Sequence, residues 1–559
     1  MASPFTYVYI AFVFLVVVWR WWFSSQGQQS DEPPLVPYRL PWLGHALPFI
    51  RNINGYTAWV RSLFPSNSAV TVQIAGRRLY LIFDSRLASL IYRRSRVFLF
   101  DPFNLEVMKM VGCTEKDIQI ARIGAQTVIR DPRSIDDGRR VLHGLHVLAD
   151  EHLSGESLDE LTSRFIDMLS TELDTRFPPG PMAEWQTFDL AEYVKAAWTH
   201  ASITALYGSH IYTIWPDIDT WLWEFDQGIQ SIITKMPRFL FPKPYTVLEQ
   251  GLRMFEAWET AAVQHSGFDA EAIWEPFWGH RHTRLRNKHL LDSGLSARGR
   301  AANNISLLWG LGANAIPVAM QVMNQVVADR SLLEELREEI SRCQTGLVSF
   351  DLRKVTAQPK LKSVYLEALR WATASPSPRV ISEDCELGGY RLKKNSMVII
   401  HSRTMQMDKP TWEIADHAAS NPETFWAGRF LDGDDDAEAE RIDERLNAEV
   451  AYLADTAGPG DKNTKRTAVE PMSGPRSKDI QQRMMALRPF GGGTTLCPGR
   501  HFATNEIIGG LAALMLRLEI QVVEEDLIKN GMPQPDLMKQ GGLFPDRSFM
   551  VRVRRRHAL

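Results

Sequence analysis

The stretch PFGGGTTLCPGRHFA, from Pro489 to Ala503, decides how this 559-residue chain is read. Gly491, Gly492 and Gly493 carry no side chains, so backbone there can lie close against a bulky flat ligand. Cys497 follows in the loop, and Pro498 and Gly499 lead into an apolar helical pattern, GRHFATNEIIGGLAALMLRL. A cysteine at a helix N-terminus has its thiolate favoured by the macrodipole and by free N–H groups. The other cysteines (Cys113, Cys343 and Cys385) are scattered, with no CxxC pair. That usage reads as a reducing compartment without structural disulfides. A buried inert cysteine beside a glycine turn is the bland alternative, and the full pattern outweighs it.

Outward from the loop the chain is mostly helical in pattern, with short strands. The predicted helices include Ser157 to Leu173, Leu190 to Tyr207, Gly251 to His265 and Lys360 to Trp371. Ser331-x-x-Glu334 reads as a capping box opening another. Ala69 to Phe83 reads as a hairpin around a glycine, and Arg391 to Ile400, LEIQVV and SFMVRVRR read as strands. Residues 431–485 are acidic and then rich in Gly, Pro, Lys and Ser, which reads as an exposed insertion. The net charge of −3 gives no basis for nucleic-acid binding.

The N-terminal run FTYVYIAFVFLVVVWRWWF, Phe5 to Phe23, has one charge, Arg20. Roughly 20 apolar residues span a bilayer, and Trp19, Trp21 and Trp22 suit its interface. Residues 1–25 are therefore read as a membrane anchor, with Arg20 placing the main body in the cytosol. Residues 26–50, with Pro33, Pro34, Pro37 and Pro41, read as a stiff linker, and 51–559 as the catalytic domain. In MPRFLFPKPY, Met236 to Tyr245, apolar residues are flanked by Arg238 and Lys243, a pattern suited to a loop dipping into lipid.

The cysteine stretch resembles the signature of the cytochrome P-450 family, Phe-x-x-Gly-x-Arg-x-Cys-x-Gly. Phe490, Gly493, Cys497 and Gly499 match, while Thr495 stands where the family has arginine. Glu367-x-x-Arg370 matches the family's helix pair, and Phe425, Arg429 and Phe430 in NPETFWAGRF match the stretch whose arginine joins it. Arg379 matches the family position that meets a haem propionate. The helix over the haem is then Asn303 to Val322, where Ala313-Asn314 replaces the common acid–threonine pair, with Gly310, Gly312 and Pro317 close by. Asparagine at this place is similar to a subgroup that includes sterol 7-hydroxylases and prostacyclin synthase.

The resemblance implies a mainly α fold with small β-sheets behind one transmembrane helix. It implies haem b with Cys497 as axial thiolate, and Glu367, Arg370 and Arg429 as a structural charge network. Phe490, Gly493, Gly499 and Arg379 would line the cofactor, with Asn314 as distal organiser. The implied activity is NADPH-dependent insertion of one oxygen atom into an apolar small molecule, with electrons from NADPH-cytochrome P-450 reductase at the endoplasmic reticulum membrane. Arg139, Arg140, Arg483, Arg488 and Arg500 are candidates for a docking face. The style of the motifs resembles filamentous-fungal enzymes of specialised metabolism, with terpenoid, steroid-like or alkaloid substrates. The rival readings are a reductase-independent isomerase or dehydratase of a peroxide-containing substrate, and a haem sensor or carrier.

Overall fold

Two short strands, Ala69–Ile74 and Arg77–Ile82, pair antiparallel with Ala69 opposite Ile82 and Ile74 opposite Arg77. The two linking residues, Ala75 and Gly76, both take positive φ (46° and 77°), the twist that a two-residue hairpin requires. The second strand continues the sheet, with Met397–His401 parallel beside it and then Pro376–Ile381 and Phe98–Leu99. These facts come from a computed structural model that describes residues 4–25, 31–40, 42–123, 125, 140–178, 184–268, 271–413, 420–431 and 483–556. Side chains of its first helix are described from Tyr9 to Trp19.

The bulk of the molecule is helical. Four helices, Gly155–Arg176, Leu190–Tyr207, Ala297–Ala328 and Arg500–Arg517, pack against one another around the main apolar core. The Arg500–Arg517 helix approaches closely because Gly509 and Gly510 bring no side chain. A Cβ on Gly509 would sit 2.9 Å from Ile166 Cδ1, and one on Gly510 would run into the indole of Trp198. The Ala297–Ala328 helix is long and apolar enough to cross a membrane, but its burial in this core accounts for that composition. The N-terminal helix Pro4–Ser25 differs, because Tyr9 to Trp19 is apolar and exposed along its length.

Several local expectations need correction. The Arg330–Arg342 helix is capped by Asp329, whose carboxylate accepts the Leu332 N–H at 3.1 Å, while Ser331 Oγ reaches Glu335 at 3.2 Å. A carboxylate both satisfies the free N–H and complements the helix dipole, so it displaces the neighbouring serine. Arg391 to Ile400 is two strands rather than one. Tyr390–Leu392 ends at a turn where Asn395 has φ 62°, and Met397–His401 enters the central sheet. The helix around Gly251 starts earlier, with Pro242 at its first turn. The proline stretch is not a free spacer. Thr71 N–H donates to Pro34 O at 2.8 Å and Val36 N–H to Thr71 O at 2.9 Å, while buried Glu32 pairs with Arg78 and Lys393. It is thus docked along the hairpin edge. Most of the 431–485 insertion lies outside the described residues, as does Arg139.

Candidate active site

The glycine loop lies against the Ser85–Arg93 helix. A Cβ on Gly492 would meet the Tyr92 ring at 2.7 Å, and Gly493 takes φ 67° with its Cα side against Tyr92 O. The chain then makes a short 3-10 turn, Gly493–Thr495, and Cys497 N–H donates back to Phe490 O at 3.1 Å. Gly499 precedes the first turn of the Arg500–Arg517 helix. Cys497 is half-buried and unpaired. Burial raises its thiol pKa, and the backbone N–H groups of Gly499 and Arg500 together with the Arg500 charge pull the other way. Leu311 of the Ala297–Ala328 helix packs on this turn, since a Cβ on Gly499 would sit 2.9 Å from Leu311 Cδ2. The thiol loop and the central helix therefore face each other.

On that helix most residues near the middle are buried, yet Gly310 and Asn314, one turn apart, are both exposed. A Cβ on Gly310 would meet nothing within 4 Å. The helix thus borders open space within the fold at this one face. Asn314 Nδ2 donates to Gly310 O at 2.8 Å, which fixes the amide's orientation, because only the amino group can donate to a carbonyl. Its Oδ1 is left as an acceptor without a protein donor among the described residues. Pro317 lacks an N–H, so Ala313 O loses its usual helical donor beside this face.

Arg379, 4% exposed, lies on strand Pro376–Ile381 with no carboxylate within ion-pair distance among the described residues. Its guanidinium donates to Pro378 O (2.7 Å), Ser377 Oγ (3.1 Å) and Thr495 Oγ1, and lies over the rings of Tyr92 and Phe100. Burial lowers its pKa. Thr495, the departure from the family signature, therefore fastens this cation through a hydroxyl. A second buried arginine at 495 would instead face it with like charge.

Glu367 is completely buried on the Pro359–Trp371 helix and accepts both Arg370 Nε and Nη2 at 2.7 Å, Arg429 Nε at 2.9 Å and Trp426 N–H at 3.0 Å. The remaining guanidinium N–H groups reach carbonyls, among them Pro422 O from Arg370 (2.7 Å) and Ser420 O from Arg429 (2.8 Å). This is a fully hydrogen-bonded buried triad, the condition under which buried charge is tolerated. Two of the candidate docking-face residues have neutral hydrogen-bond partners, which leave their charge in place. Arg488 is tied to Met485 O (2.9 Å) and Ser89 Oγ (3.0 Å), and Arg500 to Cys497 O (3.1 Å).

The donor set suits a flat, dianionic iron macrocycle: one thiol at a helix start, a side-chain-free loop, one buried unneutralised cation and an open helix face. Sequence reading missed three features here. Glu506, fully buried on the helix that follows the thiol, had a legible signal, an acid in an apolar helix. Tyr92, at the glycine loop, had none. The pair Gly541–Gly542, packed on Asn314, carried only the ambiguous signal of adjacent glycines.

Comparison with known proteins gives a family model, Cytochrome P450, matching residues 315–459. The chain is 26% identical to the cytochrome P450 monooxygenase calL of Penicillium decumbens, over 97% of this chain and 95% of that one. It is also 26% identical to the cytochrome P450 monooxygenase fsoE of Humicola fuscoatra, over 97% and 93%. It is 22% identical to the cholesterol 7-alpha-monooxygenase of Cricetulus griseus, over 92% of each.

Proposed function

From the premise that this chain is an oxidoreductase of the cytochrome P450 family, whose cofactor is a haem iron with a cysteine thiolate ligand, we propose that Cys497 is that ligand. The reaction is insertion of one atom of dioxygen into an apolar terpenoid, steroid-like or alkaloid substrate of fungal specialised metabolism. The second oxygen atom leaves as water, with two electrons from NADPH delivered through a membrane-bound reductase. The observation that carries the reading is the half-buried Cys497 thiol at the N-terminus of the Arg500–Arg517 helix, beside the Gly499 turn on which Leu311 of the central helix packs.

The bound haem would supply reductive activation of dioxygen, driven by electron density from the thiolate. Every other task falls to side chains. Arg379, hydrogen-bonded to Thr495, would meet a propionate charge. Phe490, Gly493 and Gly499 would keep the proximal loop close to the ring. The Glu367, Arg370 and Arg429 triad holds the segment before the 431–485 insertion against the Pro359–Trp371 helix. Asn314 Oδ1 would accept a hydrogen bond from a water that brings protons, and Gly310 leaves room for it. The Pro4–Ser25 helix anchors the chain in the endoplasmic reticulum with the catalytic body in the cytosol.

Full-length chain with reductase and NADPH tests this. Cys497→Ser is expected to abolish the thiolate-type carbon monoxide spectrum of the reduced enzyme and all product. A mutant retaining both overturns the ligand assignment. Comparing metabolites of a strain lacking the enzyme with its parent identifies the substrate.

A further inference from the structure

We propose that Gly541 and Gly542 are positioning residues that fix the carboxamide of Asn314; this rests on the reading of Asn314 as the distal organiser. The pair forms a short strand, with Gly541 opposite Ala374 and Gly542 opposite Thr373. Its backbone lies directly on the central helix at one residue. A Cβ on Gly541 would land well inside van der Waals contact distance of Asn314 Oδ1, and one on Gly542 well inside that of Asn314 backbone O. Gly541 also has φ 76°, a conformation that favours glycine.

The segment cannot retreat, because both its ends are tied. Before the glycines, Lys539 faces Asp226 at 3.7 Å and Gln540 donates to Gln230 at 3.3 Å, both on the Ile218–Ile233 helix. Asp226 in turn accepts Trp309 Nε1 at 3.0 Å, next to Gly310 on the central helix. After the glycines, Leu543 N–H donates to Ala372 O at 2.9 Å, and Leu543 O accepts Gln321 Nε2 at 3.3 Å. A side chain added at Gly541 must therefore displace the Asn314 carboxamide. With Nδ2 held by Gly310 O on one side and Oδ1 flanked by Gly541 on the other, the amide has one orientation and one open direction.

The two glycines differ in a way that makes the idea testable. The Gly541 conflict is with the Asn314 side chain, so truncating Asn314 relieves it. The Gly542 conflict is with backbone, so truncation does not. The probe is carbon monoxide on the reduced full-length haem protein, whose stretching frequency senses the nearest distal polar group. Asn314→Ala is expected to shift this frequency. Gly541→Ala is expected to shift it too, whereas Gly541→Ala/Asn314→Ala should match Asn314→Ala alone. Gly542→Ala should keep an effect in both backgrounds. If Gly541→Ala gives little haem protein, the double variant is expected to restore it, and failure to restore it overturns the proposal. A shift with Asn314→Ala but none with Gly541→Ala overturns the positioning role and leaves the Asn314 reading standing. No shift with Asn314→Ala removes that reading, and the proposal with it.

Discussion

Replacing Glu506 by glutamine should make this protein more stable above acidic pH and nearly remove one component of its pH dependence. Glu506 is fully buried on the Arg500–Arg517 helix, where Ser202 Oγ donates to its Oε1 at 2.6 Å. Burial pushes its pKa up to about 8, against an ordinary value of 4.5, and the serine bond only partly offsets that. Below pH 4.5 the acid is protonated in both folded and unfolded chains, so it carries no penalty. Between 4.5 and about 8 the unfolded chain releases its proton while the folded chain keeps it, so stability falls as pH rises. Above about 8 the folded chain must bear a buried carboxylate and the loss levels off. At about 1.4 kcal/mol per pH unit this amounts to roughly 5 kcal/mol in full, and to roughly 3 kcal/mol at neutral pH. Glu506→Gln retains an acceptor for Ser202 and never ionises. Its thermal midpoint, measured as holoprotein from about pH 5 to pH 9, should rise relative to wild type as pH increases. Wild type should also show an infrared band of a protonated carboxyl that the variant lacks. Parallel midpoints across that range, with no such band, would refute the assignment of a neutral Glu506.

In the buried triad, removing Arg370 or Arg429 alone should cost on the order of 3–5 kcal/mol, and Glu367→Gln should cost more, because it leaves two buried guanidiniums without an anion. Haem bound per folded protein and the thermal midpoint are the readouts, and a Glu367→Gln variant with normal values would show that the triad bears no load. The loop between the Ile218–Ile233 and Pro242–Ser266 helices exposes Phe239 (84%), Leu240 (61%) and Phe241 (43%). A variant lacking residues 1–25 should still bind phospholipid vesicles. Serine at Phe239 and Phe241 should weaken that binding about tenfold or more, since burying one such ring is worth about 1.5–3 kcal/mol; unchanged sedimentation with vesicles would place this loop away from the bilayer.

What the sequence made legible was chemistry carried by neighbouring residues. The hairpin at Ala69–Ile82 follows from β-branched runs around Ala75–Gly76, and the helix Leu190–Tyr207 has the ends its periodicity predicts. Cys497 stood out because cysteine is scarce and its loop is rich in glycine. Less legible were choices between competing local solutions, as where Asp329 caps in place of Ser331, or where Lys393 to Asn395 break an otherwise strand-like run. Least legible were contacts made across the chain. Nothing near residue 541 indicates that its backbone ends against residue 314, and nothing near Glu32 indicates Arg78 and Lys393. Such pairings depend on three-dimensional closure, which periodicity does not encode.

The two departures from the family pattern belong together electrostatically. Thr495 removes a cation that the family carries on the cysteine side, and Ala313 removes an acid that it commonly carries on the distal side. Each loss alone would shift the charge of a poorly solvated site, where isolated charges are most costly. Arg379 remains a buried cation over the rings of Tyr92 and Phe100. Neutral hydrogen-bonding groups take over both places, a hydroxyl that orients Arg379 and a carboxamide pinned to Gly310 O. Glu506 fits the same economy of charge. It lies roughly 9 Å along the helix axis from Arg500, at ~1.5 Å per residue. Kept protonated, it would add no second negative charge to the thiolate proposed for Cys497. On the proposed reading, a proton route would depend on where neutral groups hold water rather than on a titrating acid. That would make the orientation of a single amide, and the glycines packed against it, the sensitive part of the distal side.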